Sequence, residues 1–108
     1  MDYHFIVPID ERFLDNYVLM CKTVSKRDRI RIINLLEKTR LNVGQISEKL
    51  GISLGSLSNH LNDMYKMGVL GKEREGKLVF YYLVNPGLIN GISALNDEIK
   101  VLFQIKNQ

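Results

Sequence analysis

The chain has 108 residues, 45% of them hydrophobic and 25% charged, which suits one globular domain and excludes both a two-domain layout and a disordered tail. The formal net charge is only +3, yet residues 25–84 carry 11 Lys or Arg against 6 Asp or Glu, while residues 1–24 have 2 against 4 and residues 85–108 have 2 against 2. A single cysteine, Cys21, excludes an intramolecular disulfide framework and a multi-cysteine metal cluster.

Residues 1–9 are mixed in character and contain Pro8, as in an extended arm with no readable function. From residue 10 to 23, Phe13, Leu14, Tyr17, Val18 and Cys21 recur at steps of three and four, the spacing of an amphipathic helix. Ser25 precedes Asp28 by three residues, which reads as a capping box opening a second helix that runs to residue 38. Ile30, Ile33, Leu35 and Leu36 make its core face, and Lys26, Arg27, Arg29 and Arg31 make its first half basic. Asn42 with Gln45 offers a second box, so residues 43–50 read as a short third helix stopped by Gly51.

Ser53 is the expected N-cap of a fourth helix that runs to Met67 and ends at Gly68. Leu54, Leu57, Leu61 and Met64 fall on one stripe of it, and Gly55, Ser56, Asn59, Asn62 and Lys66 fall opposite. Two short helices joined by a glycine-containing turn form a helix-turn-helix over residues 43–67. Beyond Gly68 the period changes: residues 69–74 and 78–84, rich in β-branched and aromatic side chains, read as two strands with Glu75-Gly76-Lys77 at the tip. Pro86 suits the first turn of a last helix after Asn85, and Leu88, Ile92, Leu95, Ile99 and Leu102 then form a heptad seam of the kind that packs on another helix.

Helix, helix, helix-turn-helix, β-hairpin and long helix is the order of a winged helix-turn-helix, a mainly α fold with one small hairpin. The chain resembles the ArsR/SmtB family of small bacterial and archaeal transcriptional repressors. The resemblance is carried by Ser25-Lys-Arg-Asp-Arg-Ile-Arg-Ile-Ile-Asn-Leu-Leu36, Val43-Gly-Gln-Ile-Ser-Glu-Lys-Leu-Gly-Ile-Ser53, Ser58-Asn-His-Leu61 and Gly68-Val-Leu-Gly-Lys-Glu-Arg-Glu-Gly-Lys77, and it extends through Tyr82. It implies a homodimeric, sequence-specific regulator of transcription, a repressor that binds double-stranded DNA at a palindromic operator. The dimer is expected through residues 10–24 and 86–106, with Phe13, Tyr17, Leu88, Ile92, Leu95, Ile99 and Leu102 at the interface. The whole chain, residues 1–108, is then one such domain, with a wing over residues 69–84.

A fold of this kind reads DNA by placing the first turns of the fourth helix in the major groove, where base edges present distinct donors and acceptors. Gly55, Ser56, Ser58, Asn59 and Asn62 are the candidate reading residues: Asn59 suits a bidentate pairing with adenine, the serines suit bases or phosphates, and Gly55 permits close backbone approach. The same residues would also make a merely solvated helix face, but Ser and Asn are poor helix formers where surface helices prefer Glu, Lys or Ala. Lys72, Arg74 and Lys77 on the wing are candidate phosphate or minor-groove contacts, or else edge lysines that guard exposed strands. Arg27, Arg29 and Gln45 are the less specific candidates for the DNA backbone, and the resemblance equally allows Arg29 a structural role.

His60 lies beside the apolar stripe, so a packed, hydrogen-bonded histidine is expected over a ligand. Cys21 is expected to be buried and inert rather than a redox sensor or an intersubunit disulfide. Metal-sensing relatives place cysteines in the helix-turn-helix or paired His and carboxylate ligands on the last helix; here the first stretch reads Val43-Gly-Gln-Ile-Ser47 and the last helix offers only Asp97 and Glu98. No metal and no cofactor are therefore expected. Without a glycine-rich phosphate loop, a nucleophile elbow or a His placed for a triad, no enzyme is expected either. No secretory pattern or membrane-length apolar run is present, which suggests a cytoplasmic protein without a membrane partner. A competing reading is a winged-helix protein-interaction module, an anti-repressor or regulatory subunit, which apolar residues on the outer face of the fourth helix would favour.

Overall fold

The computed structural model of the chain describes residues 9–106, so the arm expected over residues 1–9 lies outside it apart from Ile9. A 3-10 turn, Glu11–Phe13, capped by the Asp10 carboxylate, leads into α1 (Leu14–Val24). α2 (Arg27–Leu35) is shorter than its sequence pattern suggested at both ends. Ser25 does not cap it. Its N–H bonds the Cys21 carbonyl at 2.8 Å and so closes α1, while Lys26 opens α2 without a side-chain cap. Asp28 instead accepts from Arg31 at 3.0 Å.

A two-residue strand, β1 (Leu41–Asn42), precedes α3 (Val43–Leu50). Two residues carry no periodicity, which is why the sequence pattern did not reveal the strand. The capping box that opens α3 is complete: Asn42 Oδ1 accepts from the Gln45 N–H, and Gln45 Oε1 accepts from the Asn42 N–H, both at 2.9 Å. Replacing Asn42 by alanine removes one acceptor from the first turn of α3, and a thermal or urea melt should record a loss of about 1 kcal/mol. Gly51 closes the helix at φ 67°, the left-handed region where a side chain is strained. The turn is pinned by Ser47 Oγ donating to the Ile52 carbonyl at 2.7 Å. α4 (Leu54–Met67) follows, its N-cap Ser53 accepting from the Ser56 N–H at 3.3 Å.

β2 (Leu70–Glu75) and β3 (Leu78–Leu83) form the hairpin around Gly76 and Lys77, in a sheet of order β1-β3-β2 with Leu41 opposite Tyr81 and Lys72 opposite Tyr81 from the other side. The Tyr82 ring lies across Gly71, where a Cβ would run into the ring and force it aside. The core sits between α2, α3, α4 and the base of the hairpin, with Ile32, Ile33, Ile46, Leu57, Leu61 and Met64 fully buried.

Two expected core residues lie outside it. Ile30 is exposed on the side of α2 that meets a groove shared with α1 and α5 (Gly87–Lys106). Leu54 is 57% exposed, because a helical side chain covers the turn preceding its own and the first residue of α4 has no such turn. α5 begins where Asn85 Oδ1 accepts from the Gly87 N–H at 2.9 Å. Leu88, Ile89 and Ile92 pack it against the core. The rest projects, so the radius of gyration is 16.3 Å, against about 13 Å for a compact chain of about 100 residues. No helix of the described residues is long and apolar enough to cross a membrane.

Candidate nucleic-acid interface

Successive residues of α4 turn by about 100°, and this decides which side chains face outward. Leu57, Leu61 and Met64 fill the inner face, and Gly55, Asn59, Asn62 and Lys66, all exposed, lie opposite. One flank, with His60 and Asp63, meets α2 through Arg29; the other, with Leu54, Ser58 and Tyr65, turns toward the hairpin. Gly55, Ser56, Ser58, Asn59 and Asn62 are thus all on the surface. Among the described residues, the hydrogen bonds leave the side chains of Ser58, Asn59 and Asn62 uncommitted. This is an array of short donors and acceptors held by a buried stripe on the other side of the same helix.

The wing has two faces, set by the two-residue repeat of a strand. Lys72 and Arg74, opposite Tyr81 and Val79, share one; Glu73 and Glu75, opposite Phe80 and Leu78, share the other. Lys72 reaches α4, its Nζ 4.2 Å from the centre of the Tyr65 ring. On the opposite face Arg40 stacks over the Phe80 ring at 4.4 Å and donates to Glu73 at 2.7 Å and to Glu75 at 2.6 Å. The hydrogen bonds to Glu75 and then Glu73 hold the guanidinium pKa above its ordinary value, against a smaller opposing effect of burial. Arg40 therefore offsets one of two carboxylates, and the wing, which carries Lys72, Arg74 and Lys77 against Glu73 and Glu75 for a net +1 of its own, stands at +2 with Arg40 beside it. Sequence reading missed Arg40, since its partners lie 33 and 35 residues away. The one local sign was the two-residue spacing of the glutamates.

The basic first half of α2 divides into three roles. Arg27 is exposed at the start of the helix. Arg31 donates to the Leu50 carbonyl at 2.7 Å and so caps the C-terminus of α3. Arg29, a candidate DNA-backbone contact on sequence, is 4% exposed and bonded to Thr23, His60 and Asp63, so its guanidinium is not available to a phosphate. Gln45 is exposed, with its side-chain carbonyl engaged in the α3 cap. His60 is the half-buried, hydrogen-bonded residue its place beside the stripe suggested. No cluster of three or more His, Cys, Asp or Glu among the described residues is placed to hold a metal ion.

The two ends of the described chain carry most of the exposed apolar surface. Phe13, Tyr17, Leu95, Ile99 and Leu102 are all exposed, whereas Leu88 and Ile92 are half-buried against the core of their own chain. A groove of about 870 Å³ runs between α1, α2 and α5, lined in part by Tyr17, Met20, Ile30, Leu95 and Ile99. Cys21 lines this groove beside Val24 and is exposed, contrary to the burial expected of it, because α2 and α5 stand away from this side of α1 and leave the groove open.

The family model for "Bacterial regulatory protein, arsR family" matches residues 26–72. The transcriptional repressor SdpR of Bacillus subtilis is 34% identical over 87 residues, covering 81% of this chain and 89% of that protein. The cadmium resistance transcriptional regulatory protein CadC of Listeria innocua is 33% identical over 70 residues, 64% of this chain, and the match spans 59% of CadC's own length. Among solved structures, the homodimeric winged helix-turn-helix DNA-binding domain of Mb0332 from Mycobacterium bovis superposes with a TM-score of 0.73 at 23% identity, covering 82% of this chain and 84% of that one.

Proposed function

The chain belongs to the arsR family of bacterial regulatory proteins, and from that premise we propose that it is a cytoplasmic, homodimeric regulator of transcription that represses by binding a palindromic operator in double-stranded DNA. The observation that carries this reading is the outer face of α4, where Ser58, Asn59 and Asn62 stand exposed and uncommitted beside a wing that, with Arg40, has a net charge of +2. In the major groove Asn59 matches the adenine N6 and N7 pattern, Ser56, Ser58 and Asn62 serve neighbouring base edges or phosphates, and Gly55 allows the backbone close to the DNA. Lys72, Arg74 and Lys77 neutralise phosphates beside the reading helix, with Arg27 as a further cation at the start of α2. Two copies joined through α1 and α5 present two such helices to half-sites about 10 bp apart. The reading assigns no catalytic activity to the chain, and it assigns no metal to the positions where metal-sensing relatives hold their ligands.

A second reading has one observation in its favour. Leu54, expected on the buried stripe, and Tyr65 are 57% and 41% exposed and put apolar surface on one flank of α4. That flank would suit a protein partner, as in an anti-repressor or regulatory subunit. A salt titration separates the two, since DNA affinity falls with a log–log slope of about −0.9 per phosphate neutralised and an apolar protein contact barely responds. The measurement is anisotropy of labelled duplexes selected by the protein from a random pool. Failure to select any duplex at low salt would overturn the DNA-binding reading.

The residue roles make a sharper test. Asn59→Ala should cost about 1–3 kcal/mol on the selected duplex and relax the preference at one base pair per half-site. Lys77→Ala should weaken selected and scrambled duplexes alike and lower the salt slope by about 1. Equal losses on both duplexes for the two variants would contradict the assignment of α4 as the reading helix.

A further inference from the structure

Arg29 is the single buried charged residue among the described residues, and each of its hydrogen bonds to a side chain or carbonyl leaves its own helix. Nη1 donates to the Thr23 carbonyl in the last turn of α1 at 2.9 Å, Nε donates to His60 Nδ1 at 2.9 Å, and Nη2 donates to Asp63 Oδ2 at 2.6 Å. One planar fork therefore ties the end of α1 to the inward flank of α4. Burying a guanidinium is costly, and an apolar side chain would serve packing at least as well; a buried ionic group is better suited to fixing one arrangement among several. Lysine cannot replace it, because a single ammonium on a flexible stem cannot satisfy three acceptors spread in one plane. His60 accepts through Nδ1, so its ring proton resides on Nε2.

We infer that Arg29 is a positioning residue: through His60 and Asp63 it sets the angle of the reading helix relative to α1, and so holds the two reading helices of a dimer at the separation one operator demands. The inference rests on the function proposed above, in which α1 belongs to the dimer contact and α4 to the DNA contact. It turns a cation expected at the phosphates into one that never touches DNA yet governs which DNA is held.

The test uses the full chain and three variants, Arg29→Lys, His60→Leu and His60→Asn. The last keeps an acceptor near the place of Nδ1. The probes are the duplex selected by the wild type from a random pool and a scrambled duplex of the same composition. Arg29→Lys and His60→Leu should remain dimers by sedimentation and bind the scrambled duplex within about twofold of wild type, while losing about tenfold on the selected one. His60→Asn should recover most of that loss. Amide exchange in the absence of DNA should speed up in α4 and the last turn of α1 of Arg29→Lys and His60→Leu, leaving the hairpin unchanged.

Equal losses on both duplexes, or a His60→Asn variant as poor as His60→Leu, overturn the inference. Should Arg29→Lys fail to fold, the two His60 variants decide the matter. If the wild type selects no duplex, the DNA-binding reading fails on its own, and the exchange measurement still decides whether this fork holds α4 to α1: unchanged exchange in the variants overturns it.

Discussion

Ile99→Asp should convert the protein to a monomer and lower its affinity for a palindromic duplex by at least about a hundredfold, the scale lost when two linked binding events become independent. Ile99 and Leu95 lie on the part of α5 beyond Leu88 and Ile92, exposed within a single chain, with Leu95 the more so at 61%. A carboxylate there costs an isolated protomer almost nothing. In a two-fold contact it enters twice, with no partner cation, and must either be desolvated or force the helices apart. Sedimentation measures the oligomer and anisotropy the affinity; thermal melting of the monomeric variant checks that the core is intact. Leu95→Asp should behave alike. An intact dimer with either substitution would refute the seam, and the α1, α2 and α5 groove would need another occupant.

The second large effect falls on stability rather than assembly. Leu57 is fully buried at the centre of the α4 stripe, so Leu57→Ala leaves a cavity between α4 and the helices behind it. The expected loss is about 2–5 kcal/mol, a large part of the roughly 5–15 kcal/mol that holds a small domain together. Urea denaturation measures it. Asn59, two positions on and exposed, should move stability by no more than about 0.5 kcal/mol when changed to alanine. Two positions on opposite faces of one helix thus separate folding from the proposed recognition. A loss below about 1 kcal/mol for Leu57→Ala would mean that α4 is not seated as described.

Much of this architecture is written locally. Asn42 with Gln45, Gly51, Ser53 and Gly68 mark the two helices of the helix-turn-helix, and they do so because a cap acts over three or four residues and leaves its own signature. The wing is equally legible from its change of period. What escaped reading depends on partners distant in sequence or on the ends of elements. Ser25 had the spacing of an N-cap, but its N–H was already committed to the helix before it. Leu54 had the phase of a core residue without a preceding turn to cover. Arg29 stood open between a DNA-backbone contact and a structural role, because its partners on α4 lie 31 and 34 residues further on. Among the candidate contacts, those on the outer face of α4 were visible because their polarity contrasts with the buried stripe beside them; Arg40 was not, because nothing near it in sequence explains it.

Asn42 serves two masters, closing β1 opposite Phe80 and capping α3 through Gln45. A residue inserted at that inner margin would slip the strand register and uncap the helix in one stroke. The outer end of the hairpin, at Gly76 and Lys77, has no such obligation, and exposed tips are where insertions are tolerated. Over evolutionary time this wing can therefore lengthen or shorten only from its tip, leaving α3 and α4 undisturbed.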